Sequence, residues 1–258
     1  METIEFSLFN SHFSILPASF FLIALIYSSV GFGGGSSYLA LLAQPMFSLL
    51  PDVIRPTALL CNIIVVTGGT IIFYREGKIN WKDAWPFLVA SIPFAYVGGF
   101  WKLEYQAFFI VLGITLILAS IALWIKPQNI QAENRYNKTS INILLGGGIG
   151  FLSGLVSIGG GIFLSPILHF MNWSEAKRIS ALASLFILVN SISGLAGQFQ
   201  RGVTTLEFKF LVPLLLAVFI GGQIGSRLGA QKFNPVYVKR TTAVLILVAG
   251  IKILIDNI

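Results

Sequence analysis

Two glycine-rich strings decide how this chain folds: GFGGGSSYLALL at residues 31–42 and SIGGGIFLSPIL at residues 157–168. In each string three consecutive glycines precede a short apolar run, which covers residues 36–50 in the first case and 162–171 in the second. Three glycines in a row do not hold a regular helix well, and a backbone N–H or C=O left unpaired in hydrocarbon costs several kcal/mol. Such a backbone is tolerated only beside protein or a wet cavity. We therefore expect a helix break at each string.

The two strings belong to a longer internal repeat. Four landmarks recur in the same order, and each is separated from its counterpart by 123 to 126 residues: Gly33–Gly35 and Gly159–Gly161, Arg55-x-Thr-Ala-Leu59 and Arg178-x-Ser-Ala-Leu182, Gly77 and Gly202, and Gly98-Gly99 and Gly221-Gly222. Ordered matches at a nearly constant spacing indicate two homologous halves. We divide the chain, a single transmembrane domain over residues 1–258, into repeat 1 (about 13–125), a polar linker (126–139) and repeat 2 (about 140–256).

Composition places the chain in a membrane. Of its 258 residues, 55% are hydrophobic and 10% are charged, whereas about a quarter are charged in an average soluble domain. Ten apolar runs follow one another, most of them long enough for a helical span: residues 13–30, 36–50, 54–73, 84–101, 105–125, 140–156, 162–171, 179–199, 206–226 and 236–255. The sequence therefore predicts an all-α integral membrane protein surrounded by the lipid bilayer.

Charge and the metal-binding residue types narrow the function. The net charge is +7, and we assign the excess to cytoplasmic loops rather than to a nucleic-acid partner. Cys61 is the only cysteine, and His12 and His169 lie far apart without an acidic residue at ligand spacing. Neither triplet is followed by Lys-Ser or Lys-Thr, which disfavours a phosphate loop. The sequence predicts no metal, no cofactor and no nucleic acid.

Loop charges select a topology. If each triplet only interrupted one crossing, the two faces would hold nine and eight basic residues, which gives no orientation. If the segments flanking each triplet return to the same face, one face holds twelve: Arg75, Lys78, Lys82, Lys126, Arg135, Lys138, Lys177, Arg178, Arg227, Lys232, Lys239 and Arg240. The other face holds five: Arg55, Lys102, Arg201, Lys209 and Lys252. The positive-inside bias favours this second topology, with the 126–139 linker in the cytoplasm and both termini outside.

In this topology each repeat is a glycine-broken hairpin plus three transmembrane helices. The number of net membrane crossings per repeat is odd whether the arms of the hairpin span the bilayer or re-enter, and the sequence leaves that choice open. An odd number of net crossings turns repeat 2 upside down relative to repeat 1. This is the inverted-repeat plan of secondary transporters.

The glycine strings are also the candidate binding site. Half-helix N-termini at Ser36-Ser37 and Ile162-Phe163 offer free N–H groups and the positive end of a helix dipole near the bilayer middle, and both favour a small anionic substrate. Neighbouring polar side chains add donors. The predicted substrate-binding residues are Gly33, Gly34, Gly35, Ser36, Ser37, Asn62, Ser157, Gly159, Gly160, Gly161 and Asn190. The alternative is that the triplets only allow close helix packing.

Two arginines and two glycine series have other roles. Arg55 and Arg178 begin repeat-related helices, and inversion puts them at opposite faces of the membrane. They are candidate entrances for anions, and the alternative is that they are anchors whose head groups reach the interface. Glycines at four-residue spacing are assigned to helix contact: Gly146, Gly150 and Gly154, and Gly221, Gly225 and Gly229.

The carboxylates are informative through their positions. All ten fall in predicted loops, at the ends of spans or in the termini. We therefore expect no carboxylate proton relay and no sodium cage at mid-membrane. This favours export without an obligatory proton or sodium partner, because an inside-negative potential alone expels an anion.

The two strings resemble the sulfite exporter TauE/SafE family, also described as the toluene sulfonate uptake permeases. The resemblance extends over about residues 17–255, including the length and the duplication. It implies a multi-pass transporter of small sulfur-containing or carboxylated organic anions, such as sulfite or sulfonates, in the cytoplasmic (inner) membrane. Three alternatives stay open: uptake coupled to protons or sodium, a non-transporting membrane assembly subunit, and a membrane-embedded enzyme, for which the spans lack acid–base pairs. A homo-oligomer also stays open.

Overall fold

The computed structural model describes residues 11–29, 31–124, 138–203, 206–229 and 235–257. All regular secondary structure in these ranges is helical. Their ten α-helices are α1 Ser11–Ser28, α2 Gly35–Leu42, α3 Pro51–Arg75, α4 Trp81–Phe100, α5 Tyr105–Leu123, α6 Thr139–Val156, α7 Gly161–Phe170, α8 Ala176–Gln200, α9 Phe208–Gly229 and α10 Pro235–Asn257. Each helix overlaps one of the ten apolar runs, which confirms the predicted all-α class. The 126–139 linker, apart from Lys138 and Thr139, and residues 1–10 and 258 at the termini lie outside the described residues.

Helix length separates spans from shorter arms. Among the residues that the structure describes, five helices are long and apolar enough to cross a bilayer: α3, α5, α6, α8 and the Phe208–Arg227 part of α9. With 25 residues each, α3 and α8 are about 38 Å long, against a hydrocarbon core of about 30 Å. With 8 and 10 residues, α2 and α7 cover only about 12 and 15 Å. These two helices are therefore too short to cross the core.

The two longest helices, α3 and α8, pack against each other in opposite directions. Arg201, which follows α8, forms a salt bridge with Asp52 at the start of α3. At the other end Lys78, beyond α3, lies 3.4 Å from Glu175, which precedes α8. We call the two ends of the bundle the Asp52 end and the Glu175 end.

The last helices of the two predicted repeats, α5 and α10, are antiparallel as well. Gln106, at the start of α5, donates to the carbonyl oxygen of Asn257 at the end of α10, with 3.1 Å between the atoms. Ser120, near the end of α5, donates to the carbonyl oxygen of Ala243 at 2.8 Å, in the first half of α10. Both pairs, α3 with α8 and α5 with α10, thus run in opposite directions.

The glycine series form close contacts between helices, α6 with α4 and α9 with α1. A Cβ added to Gly150 in α6 would lie 2.6 Å from the carbonyl oxygen of Ser91 in α4, and one added to Gly225 in α9 would overlap the carbonyl oxygen of Leu25 in α1. Other members have the same surroundings: Gly146, Gly154 and Gly221. The prediction of helix contact is confirmed for these five glycines, whereas the surroundings of Gly229 lie outside what the structure describes.

Exposed aromatic side chains lie at the helix ends. Trp81 and Trp85 are exposed in the first turns of α4, and Trp124 is exposed directly after α5. At the opposite end, Trp101 and Tyr105 are exposed between α4 and α5. Two such levels of Trp and Tyr are typical of the two interfaces of a membrane.

Candidate binding site at the glycine strings

Both glycine triplets interrupt the helical backbone. Gly34 and Gly160 stand directly before α2 and α7 and have φ angles of 87° and 82°. This left-handed conformation is open to glycine but disfavoured for other residues. The short helices begin at Gly35 and Gly161, one residue earlier than predicted, and the predicted helix breaks are confirmed.

The first amides of each short helix have no carbonyl partner. In α2 the first backbone N–H that reaches a carbonyl is that of Ser37, which donates to Gly34 at 2.9 Å. In α7 it is that of Phe163, which donates to Gly160 at 3.1 Å. Within the part of the chain that the structure describes, the two amides that open each helix, including that of the buried Ser36, have no such acceptor. Free amides at a helix N-terminus attract anions.

Asn62 joins the two strings. Its side chain is fully buried in the middle of α3, and its Nδ2 donates to the carbonyl oxygen of Ile158 at 3.0 Å. A Cβ added to Gly33 would overlap Asn62 Oδ1, one added to Gly35 would overlap Nδ2, and one added to Gly159 would lie 2.9 Å from Nδ2. Glycine is therefore required for this approach, and the strings of both repeats meet at mid-height of the bundle.

The second string also contacts the middle of α8. A Cβ added to Gly161 would overlap Ile187, and one added to Gly159 would lie 3.2 Å from Ser191 Oγ. Ser191 is fully buried. Together with Asn62, these residues place both strings between the centres of α3 and α8.

Several buried polar atoms near the strings have no hydrogen-bond partner among the described residues. They include Asn62 Oδ1, Tyr38 Oη and Ser191 Oγ. Tyr38 Oη would lie 3.1 Å from a Cβ added to Gly34. A buried polar group without a partner costs about 1–3 kcal/mol, and so a cluster of them favours a site that takes a polar ligand.

Two of the predicted hydroxyls are engaged within the protein. Ser37 is hydrogen-bonded to the Tyr27 hydroxyl. Ser157 Oγ accepts a bond from Arg55 Nε at 3.3 Å and another from Gln198 Nε2 at 2.9 Å. The structure thus brings Ser157 beside an arginine that the sequence had placed at an entrance.

Asn190 is the predicted residue that the structure does not bring to the strings. Its Nδ2 donates to the carbonyl oxygen of Phe186 in its own helix, at 2.8 Å. The residue beside the second string is its neighbour Ser191. One position along a helix turns a side chain by about 100°, and only the packing of α7 on α8 shows which of the two faces the string.

The two arginines lie at opposite ends of the bundle but in different surroundings. Arg55, near the start of α3, is only 2% exposed, and so it is neither an open entrance nor an anchor at the interface. The side chain of Arg178, near the start of α8, is 39% exposed, and its Nε lies 3.5 Å from Glu175 Oε1. It lines a shallow depression together with Lys78 and Trp173. A surface role is consistent with the position of Arg178 alone.

Sequence reasoning missed Tyr38, Ser191 and Gln198. Tyr38 stands in an apolar run directly after two predicted serines, and that adjacency was the available signal. Ser191 and Gln198 lie in α8 among small and apolar residues, where a single Ser or Gln carries no signal of its own. Their roles depend on contacts with residues far away in the sequence.

Long apolar helices, two helix breaks that meet at mid-height and a buried polar centre define a helical membrane transport protein. The comparison with known proteins gives the family. The chain belongs to the sulfite exporter TauE/SafE family, whose model matches residues 16–253, and it is a membrane transporter of that family. The resemblance seen in the two strings is thereby confirmed.

Relatives from distant organisms cover nearly the whole chain. It is 32% identical to the probable membrane transporter protein y4hK of Sinorhizobium fredii, over 93% of this chain and 97% of the relative. It is 27% identical to the probable membrane transporter protein YjnA of Bacillus subtilis, over 93% of this chain and 99% of the relative. It is also 27% identical to the probable membrane transporter protein MJ0441 of Methanocaldococcus jannaschii, over 91% of this chain and 92% of the relative. No solved structure matches the chain.

Proposed function

We propose that this chain exports small organic or sulfur-containing anions, such as sulfite or a sulfonate, across the cytoplasmic membrane. The observation that carries the proposal is the meeting of two short-helix N-termini at Asn62, in the middle of α3. Each N-terminus brings amides without a carbonyl partner and the positive end of a helix dipole. An anion with several oxygen atoms matches such a set of donors.

The inverted repeat is part of the proposal, and the packing supports it. Helices that hold the same place in the two repeats run antiparallel, both for α3 with α8 and for α5 with α10. Contacts between repeats also come in equivalent pairs, because α4 packs on α6 and α9 packs on α1. A two-fold axis perpendicular to the helices generates this pattern, whereas an axis along the helices would make equivalent helices parallel.

The orientation in the membrane is proposed from basic residues. Nine of the twelve assigned to the cytoplasmic face lie in or beside helix ends at the Glu175 end: Arg75, Lys78, Lys82, Lys138, Lys177, Arg178, Arg227, Lys239 and Arg240. The other three, Lys126, Arg135 and Lys232, lie outside the described residues. The positive-inside rule then makes the Glu175 end cytoplasmic.

Export rather than uptake follows from the charge of the substrate. The carboxylates that the structure describes lie at helix ends, as predicted: Asp52, Glu76, Asp83, Glu104, Glu175, Glu207 and Asp256. A monovalent anion that leaves an inside-negative cell gains about 2.3 kcal/mol per 100 mV, so roughly 150 mV supports a concentration ratio of more than a hundredfold. Uptake would have to overcome the same free energy.

Proteoliposomes that contain only this chain test the proposal. A potassium gradient with valinomycin sets the voltage, and the flux of radiolabelled sulfite is followed without a pH or sodium gradient. We expect the flux to follow the voltage and to reverse with it. Flux that requires a pH or sodium gradient would instead support coupled uptake, and no flux from the purified chain would support an assembly subunit.

A further inference from the structure

Arg55 is a buried cation outside the ion pairs of the described residues. Its guanidinium, 2% exposed, donates to neutral oxygen atoms at 3.3–3.4 Å: the carbonyls of Gly98, Gly99, Trp101 and Gly154, and Ser157 Oγ. None of the three salt bridges in the described part of the chain includes it. The acid three residues earlier, Asp52, is engaged by Arg201. Arginines are almost never fully buried unless they are paired, so this positive charge calls for a negative partner.

Ser157 carries the influence of Arg55 to the second glycine string. Its Oγ accepts bonds from Arg55 Nε and Gln198 Nε2, which fill both lone pairs and leave its hydrogen without an acceptor among the described residues. Exchanging the amide nitrogen and oxygen of Gln198 would give that hydrogen an acceptor but leave the amide N–H groups unpartnered instead. In the first arrangement the free hydrogen is that of Ser157, two residues before Gly159; in the second the free hydrogens belong to Gln198, whose amide contacts Ser157 Oγ.

The backbone of Ser157 supports a functional position. It has a φ of 64°, in the left-handed region that residues other than glycine seldom adopt. Such strain tends to persist where a site requires it. Here the left-handed conformation of Ser157 ends α6 and places the Ser157 hydroxyl against the buried guanidinium of Arg55.

The first repeat lacks this arrangement. The residue equivalent to Ser157 is Gly31, which has no hydroxyl, and the residue equivalent to Arg55 is Arg178. Arg178 is half-exposed and pairs with Glu175. A buried cation outside the ion pairs of the described residues is therefore found beside only one of the two strings.

We propose that Arg55 is the counter-charge of the transported anion, and that the charged end of the anion binds at the Ser157 hydroxyl and the amides of the second string. This inference rests on the proposed function. One uncompensated cation balances one negative charge, and a second charge on the ligand would be buried without compensation. The site therefore selects monoanions, such as a sulfonate, hydrogen sulfite or a monocarboxylate, over dianions.

The test uses probes of fixed charge on the purified full chain in detergent. Isothermal titration calorimetry measures the affinity for methanesulfonate, a monoanion, and for ethane-1,2-disulfonate, a dianion. We expect wild type to prefer methanesulfonate by at least about tenfold, and Arg55→Gln to weaken its binding by about tenfold to a hundredfold. Arg55→Lys should keep the charge preference. The matched control is Lys102→Gln, which removes an exposed cation at the same end of the bundle and should leave both affinities unchanged.

Each outcome bears on the inference. If Arg55→Gln does not fold, two other measurements test the inference: the preference of wild type for methanesulfonate over the disulfonate, and the effect of Ser157→Ala. Ser157→Ala should raise the KM for methanesulfonate flux more than it lowers kcat. Equal or stronger binding of the disulfonate, or unchanged binding in Arg55→Gln, overturns the inference. Absence of methanesulfonate binding by wild type overturns it as well. Selective binding without flux in proteoliposomes rejects the proposed transport function and leaves the site in place.

Discussion

Alanine in place of Gly160 tests whether the second string is a required break. Gly160 has a φ of 82°, a conformation that costs an L-residue about 1–2 kcal/mol. A Cβ there would also lie 2.8 Å from Phe186 Cε1 and 3.1 Å from Ile149 Cγ2, and both side chains are buried. Strain and crowding together should lower the free energy of unfolding by about 2–3 kcal/mol.

Gly148 provides a matched control within the same repeat. It lies inside α6, and a Cβ added to it would meet no atom within 4 Å. Alanine there removes the cost of a glycine in a helix interior, so the free energy of unfolding should rise by about 1 kcal/mol. The same chemical change is thus expected to have opposite signs at the two positions.

Thermal unfolding in detergent and sulfite flux in proteoliposomes measure both effects. For a chain of this size 1 kcal/mol moves Tm by about 2–4 °C, so Gly160→Ala should lower Tm by roughly 4–12 °C and Gly148→Ala should raise it by about 2–4 °C. Flux, measured below both transitions, should fall for Gly160→Ala only. Shifts of the same sign and size, with full flux in both variants, would refute the assignment of the string as a strained part of the site.

Two further predictions concern the centre of the bundle and its orientation. Asn62→Ala should reduce sulfite flux at least about tenfold, because it leaves the Ile158 carbonyl unpaired and separates the strings. The control Thr67→Val removes only a hydrogen bond to its own helix and should leave the flux nearly unchanged. Equal losses of flux in the two variants would contradict the role assigned to Asn62. A cysteine at Asn134, in a Cys61→Ser background, should react with an impermeant thiol reagent only after right-side-out vesicles are permeabilised, and labelling of intact vesicles would reverse the orientation.

The helices and their breaks were accessible from the sequence because they depend on local chemistry. The runs of apolar residues and their lengths match the ten helices within a few residues, apart from the run at 36–50, where α2 ends at Leu42. A glycine triplet followed by a short apolar run was enough to predict each break. Three glycines alone are not, because Gly146–Gly148 lie inside the regular helix α6. The pairing of α3 with α8 could be anticipated only as far as the repeat implied it.

The surroundings of Arg55 were not accessible in this way. An arginine near the start of a span usually extends to the interface, and the pattern around Arg55 is no different. Its partners lie between 43 and 102 residues away in the sequence, in α4, in α6 and at Ser157. Glycines at these contacts bring carbonyl oxygens close to the guanidinium, and the sequence pattern of α3 itself does not predict these contacts.

The proposed inverted repeat raises the question of how a symmetric scaffold can hold a directional site. Under that proposal, with α3 and α8 antiparallel and both strings at their centres, exchanging the repeats exchanges the strings and the two ends of the bundle. Perfect symmetry would give both ends the same affinity for an anion. Arg55 and Arg178 break that symmetry, one buried beside the second string and the other paired with Glu175 at the surface. In the transport that we propose, an anion leaving the centre toward the Asp52 end therefore passes the buried Arg55, and one leaving toward the Glu175 end passes Arg178, which is paired with Glu175.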